Sequence, residues 1–222
     1  MSLNLSKPIL YLITRGATTE ATTPGSPEFT QILNQVSAAV AAGIDLIQIR
    51  EKQLTARVLF ELVSEAVRLT RPAKTRLLVN DRADIAAGAG ADGVHLTTQS
   101  IDAATIRRTF GESFLIGAST HSLAEADSAR MQGADFVVFG PVFQTESKIQ
   151  FGSPRGLDEL TQVVRAVAGL PVLASGGISI ANAADCLAAG AHGIAGISLF
   201  DKPENFSSLF AAIREAGRSV TR

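Results

Sequence analysis

Arg76-Leu77-Leu78-Val79-Asn80-Asp81-Arg82-Ala83-Asp84-Ile85-Ala86-Ala87-Gly88-Ala89-Gly90-Ala91-Asp92-Gly93-Val94-His95-Leu96 is the stretch that decides the fold. An apolar run at 76–80 ends on polar residues, a helical pattern runs through Ile85, and a second apolar run at 93–96 starts right after Gly90-Ala91-Asp92. Glycine ends a helix well because it accepts the left-handed C-cap conformation. Strand, helix and strand in that order join parallel neighbours.

The same passage from helix into strand recurs as Gly43-Ile44-Asp45, Gly133-Ala134-Asp135 and Gly190-Ala191-His192. Reading outward gives eight apolar runs, at 9–14, 46–50, 76–80, 93–96, 114–118, 136–139, 172–174 and 193–197, each followed by a helix candidate. Eight such units fit closure into an α/β (β/α)8 TIM barrel better than an open sheet. Ser26-Pro27-Glu28 offers a helix cap with proline at the first helical position. Thr55 can cap a helix running toward Arg71, Ser122 to Glu125 reads as a capping box, and Pro203 can open the last helix. The expected organisation is one barrel domain over residues 1–222, with two long polar loops at 15–27 and 141–156.

Composition narrows the class of function. Hydrophobic residues make up 46% of the chain and charged ones 18%, enough for a buried core and without the signature of disorder. A net charge of −1 argues against a general nucleic-acid binder, which needs massed Lys and Arg. A small anionic ligand needs only a few local cations. Cys186, the single cysteine, excludes an intramolecular disulfide and suits a reducing cytosol. No basic-then-apolar leader and no membrane-length apolar run are visible. The expectation is a cytoplasmic protein acting on small molecules, with neither nucleic acid nor membrane as partner; a homo-oligomer is left open.

In a barrel the strand C-terminal ends share one face, and chemistry sits there. Gln48, Arg50 and Lys52 alternate along one strand end and point to one side. Arg grips phosphate bidentately and Lys adds a point charge. The alternative is a solvated strand end with Glu51 and Lys52 outside. Asn80-Asp81 can serve a Mg²⁺ that keeps waters and substrate oxygens, or can simply turn the chain into a helix. Ser119 can donate to phosphate and His121 can move a proton, while Ser122 reads as a cap. His95 and His192, among apolar neighbours, read as structural or surface residues. In the long loop, Thr145, Ser147 and Lys148 suit an anion, as would any polar surface loop. Ser175-Gly176-Gly177-Ile178 and Gly196-Ile197-Ser198 follow the last two strands, where barrels often bind phosphate on backbone N–H groups. Tight turns are the other reading of those glycines.

Together these segments resemble the thiamine phosphate synthases and the related TenI-type thiazole tautomerases, over nearly the whole chain from Tyr11 to Ser198. The resemblance implies a transferase that joins hydroxymethylpyrimidine diphosphate to a thiazole phosphate, releasing pyrophosphate with Mg²⁺ as cofactor. It implies that Gln48, Arg50, Lys52, Asn80 and Asp81 hold the pyrimidine diphosphate and metal, with Ser119 and Lys148 also on the diphosphate. Thr145, Ser147, Gly177, Ile197 and Ser198 fall on the thiazole phosphate. The chain departs from the synthase pattern at Ser100, which stands where a second metal-binding Asp is usual; Asp102 follows two residues on. Segments around His121 and 148–156 look like the tautomerase branch, which uses a histidine for proton transfer, yet the Asn80-Asp81 pair is intact. A non-catalytic phosphate-ligand sensor on the same barrel is a third reading.

Overall fold

The structure, a computed structural model, describes residues 7–145 and 153–220. Ser147 and Lys148 lie outside the described residues. Eight strands close into a parallel barrel in chain order: β1 (Ile9–Ile13), β2 (Leu46–Ile49), β3 (Arg76–Asn80), β4 (Gly93–Leu96), β5 (Leu115–Thr120), β6 (Phe136–Phe139), β7 (Val172–Ser175) and β8 (Gly193–Gly196). The helices between and after them are α1 (Pro27–Ala41), α2 (Ala56–Thr70), α3 (Ala83–Ala89), α4 (Ala103–Phe110), α5 (Leu123–Met131), α6 (Gly156–Ala166), α7 (Ile180–Ala188) and α8 (Phe206–Val220).

Alternation along each strand builds two cores. Inside the barrel, Ile9, Tyr11, Leu78, Phe136, Val138 and Leu173 fill the lumen. Outside, residues such as Leu10, Ile47, Val79, Val137 and Ile194 pack on the helices. On α2 the buried set Leu59, Leu62, Val63, Ala66 and Val67 recurs at helical spacing and turns one face to the sheet. Each fully buried Leu or Val of that kind contributes about 1.5–3 kcal/mol. Gly117, on β5, has its own packing reason. A Cβ there would meet the Phe136 ring at 2.3 Å and His95 Nδ1 at 2.7 Å, so its bare backbone makes room for two rings in the lumen.

The recurrent helix-to-strand passage has a physical cause. Gly43, Gly90, Gly133 and Gly190 all take positive φ, between 77° and 98°. The residue two places later then accepts a backbone N–H from the preceding strand. Asp45 takes Leu10 N–H at 2.9 Å, Asp92 takes Leu77 N–H at 2.8 Å and Asp135 takes Ile116 N–H at 2.7 Å. His192 Nδ1 takes Val172 N–H at 3.4 Å. The barrel is thus clasped four times at its N-terminal face, across β1/β2, β3/β4, β5/β6 and β7/β8. Arg214, Arg76 and Arg107 pair with the three aspartates.

The histidine clasp makes stability depend on pH. Burial, and then the charge of Lys7, hold the His192 pKa below its ordinary 6.5. Above that value both folded and unfolded chains carry a neutral ring, and nothing is gained or lost. Below it the unfolded chain takes up the proton first, so folded stability falls as pH falls. Urea titrations from about pH 7.5 to about pH 5 should show wild type losing stability more steeply than His192→Asn, which keeps an acceptor without the titration. Parallel curves would remove His192 from the acid response.

Helix and strand ends differ in detail from the sequence expectation. Strand β5 starts at Leu115 and continues to Thr120, because Ser119 and Thr120 pair with Val138 and Phe139 while Phe114 stacks on Phe110, 4.9 Å between ring centroids. Ser26 precedes α1, with Pro27 inside, but its hydroxyl accepts Thr23 N–H instead of capping the helix. Thr55 and Ser122 do cap, on Val58 and Glu125 N–H groups. Glu125 reaches back to His121 N–H, one residue beyond the expected box. Pro203 opens a 3-10 turn, Pro203–Asn205, that leads into α8, and a second such turn, Ser198–Phe200, follows β8. Cys186 is buried, and that burial pushes its thiol up to about 12, so the thiol is unreactive at neutral pH. Among the described residues no helix is long and apolar enough to cross a membrane.

Candidate active site

A cavity of about 780 Å³ opens at the C-terminal ends of the strands. Gln48, Arg50, Lys52, Asn80, Ser119, His121, Thr145, Ser175, Ile197 and Ser198 all line it, with Arg15, His95, Thr97 and Thr98. Residues far apart in sequence are therefore on one surface because the barrel closes.

The floor is aromatic. Tyr11, His95 and Phe136 cluster with ring centroids 5.5–6.1 Å apart. Burial holds the Tyr11 phenol well above its ordinary range, so it stays protonated, and Gln48 Nε2 donates to its oxygen at 2.9 Å. His95 Nε2 lies 2.9 Å from Ser119 Oγ. His95, expected as a structural or surface residue, is buried, and it also lines the cavity. Its strand neighbours Val94 and Leu96 face the outer core, which is why the local sequence reads as apolar.

Above the floor, β2 and β3 supply charge. Arg50 follows β2, and its backbone N–H is fixed by Thr14 Oγ1 at 2.8 Å. Its guanidinium lies against Gly16, where a Cβ would come within 3.2 Å of Nη1. Lys52 is exposed at the mouth. Glu51, between them, is not on a solvated end. It is 3% exposed and accepts Gly16 N–H, Thr18 N–H and Thr18 Oγ–H at 3.1, 3.3 and 2.8 Å. Nothing in the local sequence signals this, since the partners belong to the loop after β1.

Asn80 ends β3 beside His95. Asp81 follows, exposed, with φ +63 and its N–H on His95 O at 2.9 Å. A non-glycine residue held there costs about 1 kcal/mol, a strain that collects at functional sites. Arg82, not Asn80 or Asp81, occupies the N-cap of α3. Ser100 sits off the cavity lining. Its Oγ accepts Thr97 N–H at 2.7 Å and lies 3.0 Å from Thr97 Oγ1, closing a turn that presents Thr97 and Thr98 instead. Asp102 caps α4 through Thr105 N–H and Oγ–H, at 2.8 and 3.0 Å, and those bonds hold its carboxyl below the ordinary range. Among the described residues no three His, Cys, Asp or Glu side chains gather as a metal cage. Asp81, next to the cavity-lining Asn80, is like Ser100 not itself among the residues that line the cavity.

On the far side, His121 Nδ1 bonds the carbonyl of Gly140. A carbonyl only accepts, so Nδ1 carries the proton and a neutral ring keeps its lone pair on Nε2. Val142 N–H donates to Ser175 O at 2.8 Å and Phe143 N–H to Gly176 O at 3.0 Å, pulling the start of the long loop onto the turn after β7. Gly176 and Gly177, at φ +90 and +66, allow that approach. A Cβ at Gly177 would lie 2.5 Å from Gln144 O, and one at Gly176 2.5 Å from Pro141 Cβ. Gly177 itself is not on the cavity lining; it brings Thr145 toward Ser175 and Ser198.

The fold is a (β/α)8 barrel with a cavity at the C-terminal ends of its strands. The family model described as thiamine monophosphate synthase matches residues 10–200. The chain belongs to that family. It is 40% identical over 194 residues to the thiamine-phosphate synthase of Roseiflexus castenholzii, covering 87% of this chain and 85% of that protein. With the thiamine-phosphate synthase of Methanoculleus marisnigri it shares 45% over 160 residues, 72% of this chain and 75% of that one. The solved thiamine phosphate pyrophosphorylase from Pyrococcus furiosus superposes with a TM-score of 0.79 at 30% identity, covering 94% of this chain and 96% of that chain.

Proposed function

We propose that this chain is a thiamine-phosphate synthase, joining 4-amino-2-methyl-5-hydroxymethylpyrimidine diphosphate to a thiazole phosphate and releasing pyrophosphate. One observation carries the proposal: a single cavity joins the Gln48, Arg50, Lys52 and Asn80 side to the Ser175, Ile197 and Ser198 side. Two phosphorylated substrates then meet with their reacting ends over the aromatic floor and their anionic ends at opposite rims. A volume of about 780 Å³ is in the range of small-molecule sites.

The chemistry asks for little proton transfer. The bond from the pyrimidine methylene carbon to the diphosphate oxygen breaks, and the electron pair leaves with pyrophosphate. The electron-rich aminopyrimidine stabilises the cation left behind. The thiazole nitrogen lone pair closes the new C–N bond, and the positive charge ends on the thiazolium. Gln48, fixed by Tyr11, is placed to orient the pyrimidine. Arg50, Lys52 and Asn80 hold the diphosphate, Ser119 adds a donor, and the closed barrel excludes water from the cation. Lys148, outside the described residues, belongs to the same proposed diphosphate grip. Thr145, Ser147, Gly177, Ile197 and Ser198 are assigned to the thiazole phosphate, Gly177 by shaping the turn. Mg²⁺ when bound supplies further neutralisation of leaving-group charge, and Asp81 would hold it, with Ser100 available only if the Thr97 turn opens. The reading includes a cytoplasmic site of action and no nucleic-acid or membrane partner.

A second reading, thiazole tautomerisation, is favoured by the His121 geometry, whose Nε2 lone pair is available to a bound thiazole. The two separate in one experiment. Purified protein is assayed for thiamine phosphate formation and for thiazole isomerisation, as wild type and His121→Ala, with Mg²⁺ and with EDTA. A synthase stops in EDTA and keeps most of its activity in His121→Ala; a tautomerase ignores EDTA and collapses in that variant.

A further inference from the structure

We propose that Arg15 grips the phosphate of the thiazole substrate, held for that task by Asp201 and by the buried Glu51; the proposal rests on the synthase reading. Arg15 follows β1 and lines the cavity beside Ile197 and Ser198. Its Nε donates to Asp201 Oδ1 at 3.2 Å, and its Nη2 donates to Asp201 Oδ2. Asp201 directly follows the 3-10 turn Ser198–Phe200. The guanidinium is thereby tied to the loop that carries Ser198. A guanidinium has five N–H donors, and this pairing uses two. The remaining three belong to a planar, always-charged fork on the cavity that Ser198 also lines, and phosphate fits such a fork bidentately.

The support beneath it is built for position. Glu51 is 3% exposed, and a buried carboxylate is costly unless its bonds serve the fold. All three of its bonds fall on Gly16 and Thr18, one and three residues after Arg15 along the loop. Gly16 takes φ +77, a bend that other residues resist. The ion pair itself is exposed, 63% for Arg15 and 26% for Asp201, so it adds little to stability. Orientation of the guanidinium is what the arrangement provides.

The test splits the two substrates. In Arg15→Gln the KM for thiazole phosphate should rise about 10- to 100-fold, the worth of hydrogen bonds to a charged group, with the KM for the pyrimidine diphosphate unchanged. Glu51→Gln, which loosens the loop, should move the same KM in the same direction by less. The phosphate-free hydroxyethylthiazole, a poorer acceptor, should be used equally well by wild type and Arg15→Gln. Titration calorimetry with thiazole phosphate in the presence of pyrophosphate gives the same comparison without turnover. If wild type forms no thiamine phosphate, the synthase reading falls while calorimetry still decides Arg15. A KM change on the diphosphate substrate instead, an equal loss with the phosphate-free acceptor, or unchanged thiazole phosphate affinity would overturn the proposal.

Discussion

Arg50→Ala is expected to lower the rate of thiamine phosphate formation about 10²- to 10³-fold, equivalent to about 2.7–4 kcal/mol of lost transition-state stabilisation. Charge grows on the leaving diphosphate as the C–O bond opens, so a donor fixed there binds the transition state more tightly than the substrate. Arg50 is fixed. Thr14 holds its backbone, and Gly16 leaves its guanidinium room that a side chain would take. Lys52 lies at the mouth as a point charge and cannot replace a two-pronged contact. Arg50→Lys should recover part of the rate, because charge returns without the fork. Steady-state assays at saturating pyrimidine diphosphate check this. Wild-type turnover by Arg50→Ala would take the residue out of the mechanism.

Asp81→Asn should nearly abolish turnover, and the reason lies in what surrounds it. Among the described residues no second carboxylate joins Asp81 in a cage, Ser100 is engaged with Thr97, and Asp102 is engaged with the start of α4. Mg²⁺ dehydrates reluctantly and prefers hard anionic oxygens, so one carboxylate plus substrate phosphates makes a weak site. No Asp or Glu is among the described residues that line the cavity, so removing that one neighbouring charge takes away the carboxylate the proposed site relies on. Wild-type activity should accordingly need more Mg²⁺ than Ser100→Asp, which adds a carboxylate in the turn that presents Thr97 and Thr98 to the cavity. A Mg²⁺ titration of the three proteins checks the order, with activity half-maximal at the lowest concentration in Ser100→Asp. Equal Mg²⁺ requirements in wild type and Ser100→Asp would place the cation elsewhere.

What the sequence made legible follows from which forces are local. The strands show because burial on both barrel faces demands apolar runs, and the Gly-X-Asp passages show because C-cap backbone and strand-clasping acceptors are short-range needs. The alternation of Gln48, Arg50 and Lys52 placed all three on the cavity for the same reason. The features that escaped depend on closure. Glu51 alternates away from Arg50 and reads as outward until the loop after β1 folds over it. Arg15 acquires its role from Asp201, 186 residues later. His95 sits in a strand whose visible neighbours face the outer core. The glycines after β7 read as a phosphate cradle, while their immediate cause is the close pass of the 141–144 segment.

On the proposed function one cavity holds a diphosphate donor and a phosphate acceptor together and joins them. A single incubation of purified protein with both substrates and Mg²⁺ tests this, following thiamine phosphate and pyrophosphate together. Equal molar amounts of the two products are expected, and neither when either substrate is omitted. Thiazole isomerisation without thiamine phosphate, or undiminished synthesis in EDTA, would contradict it.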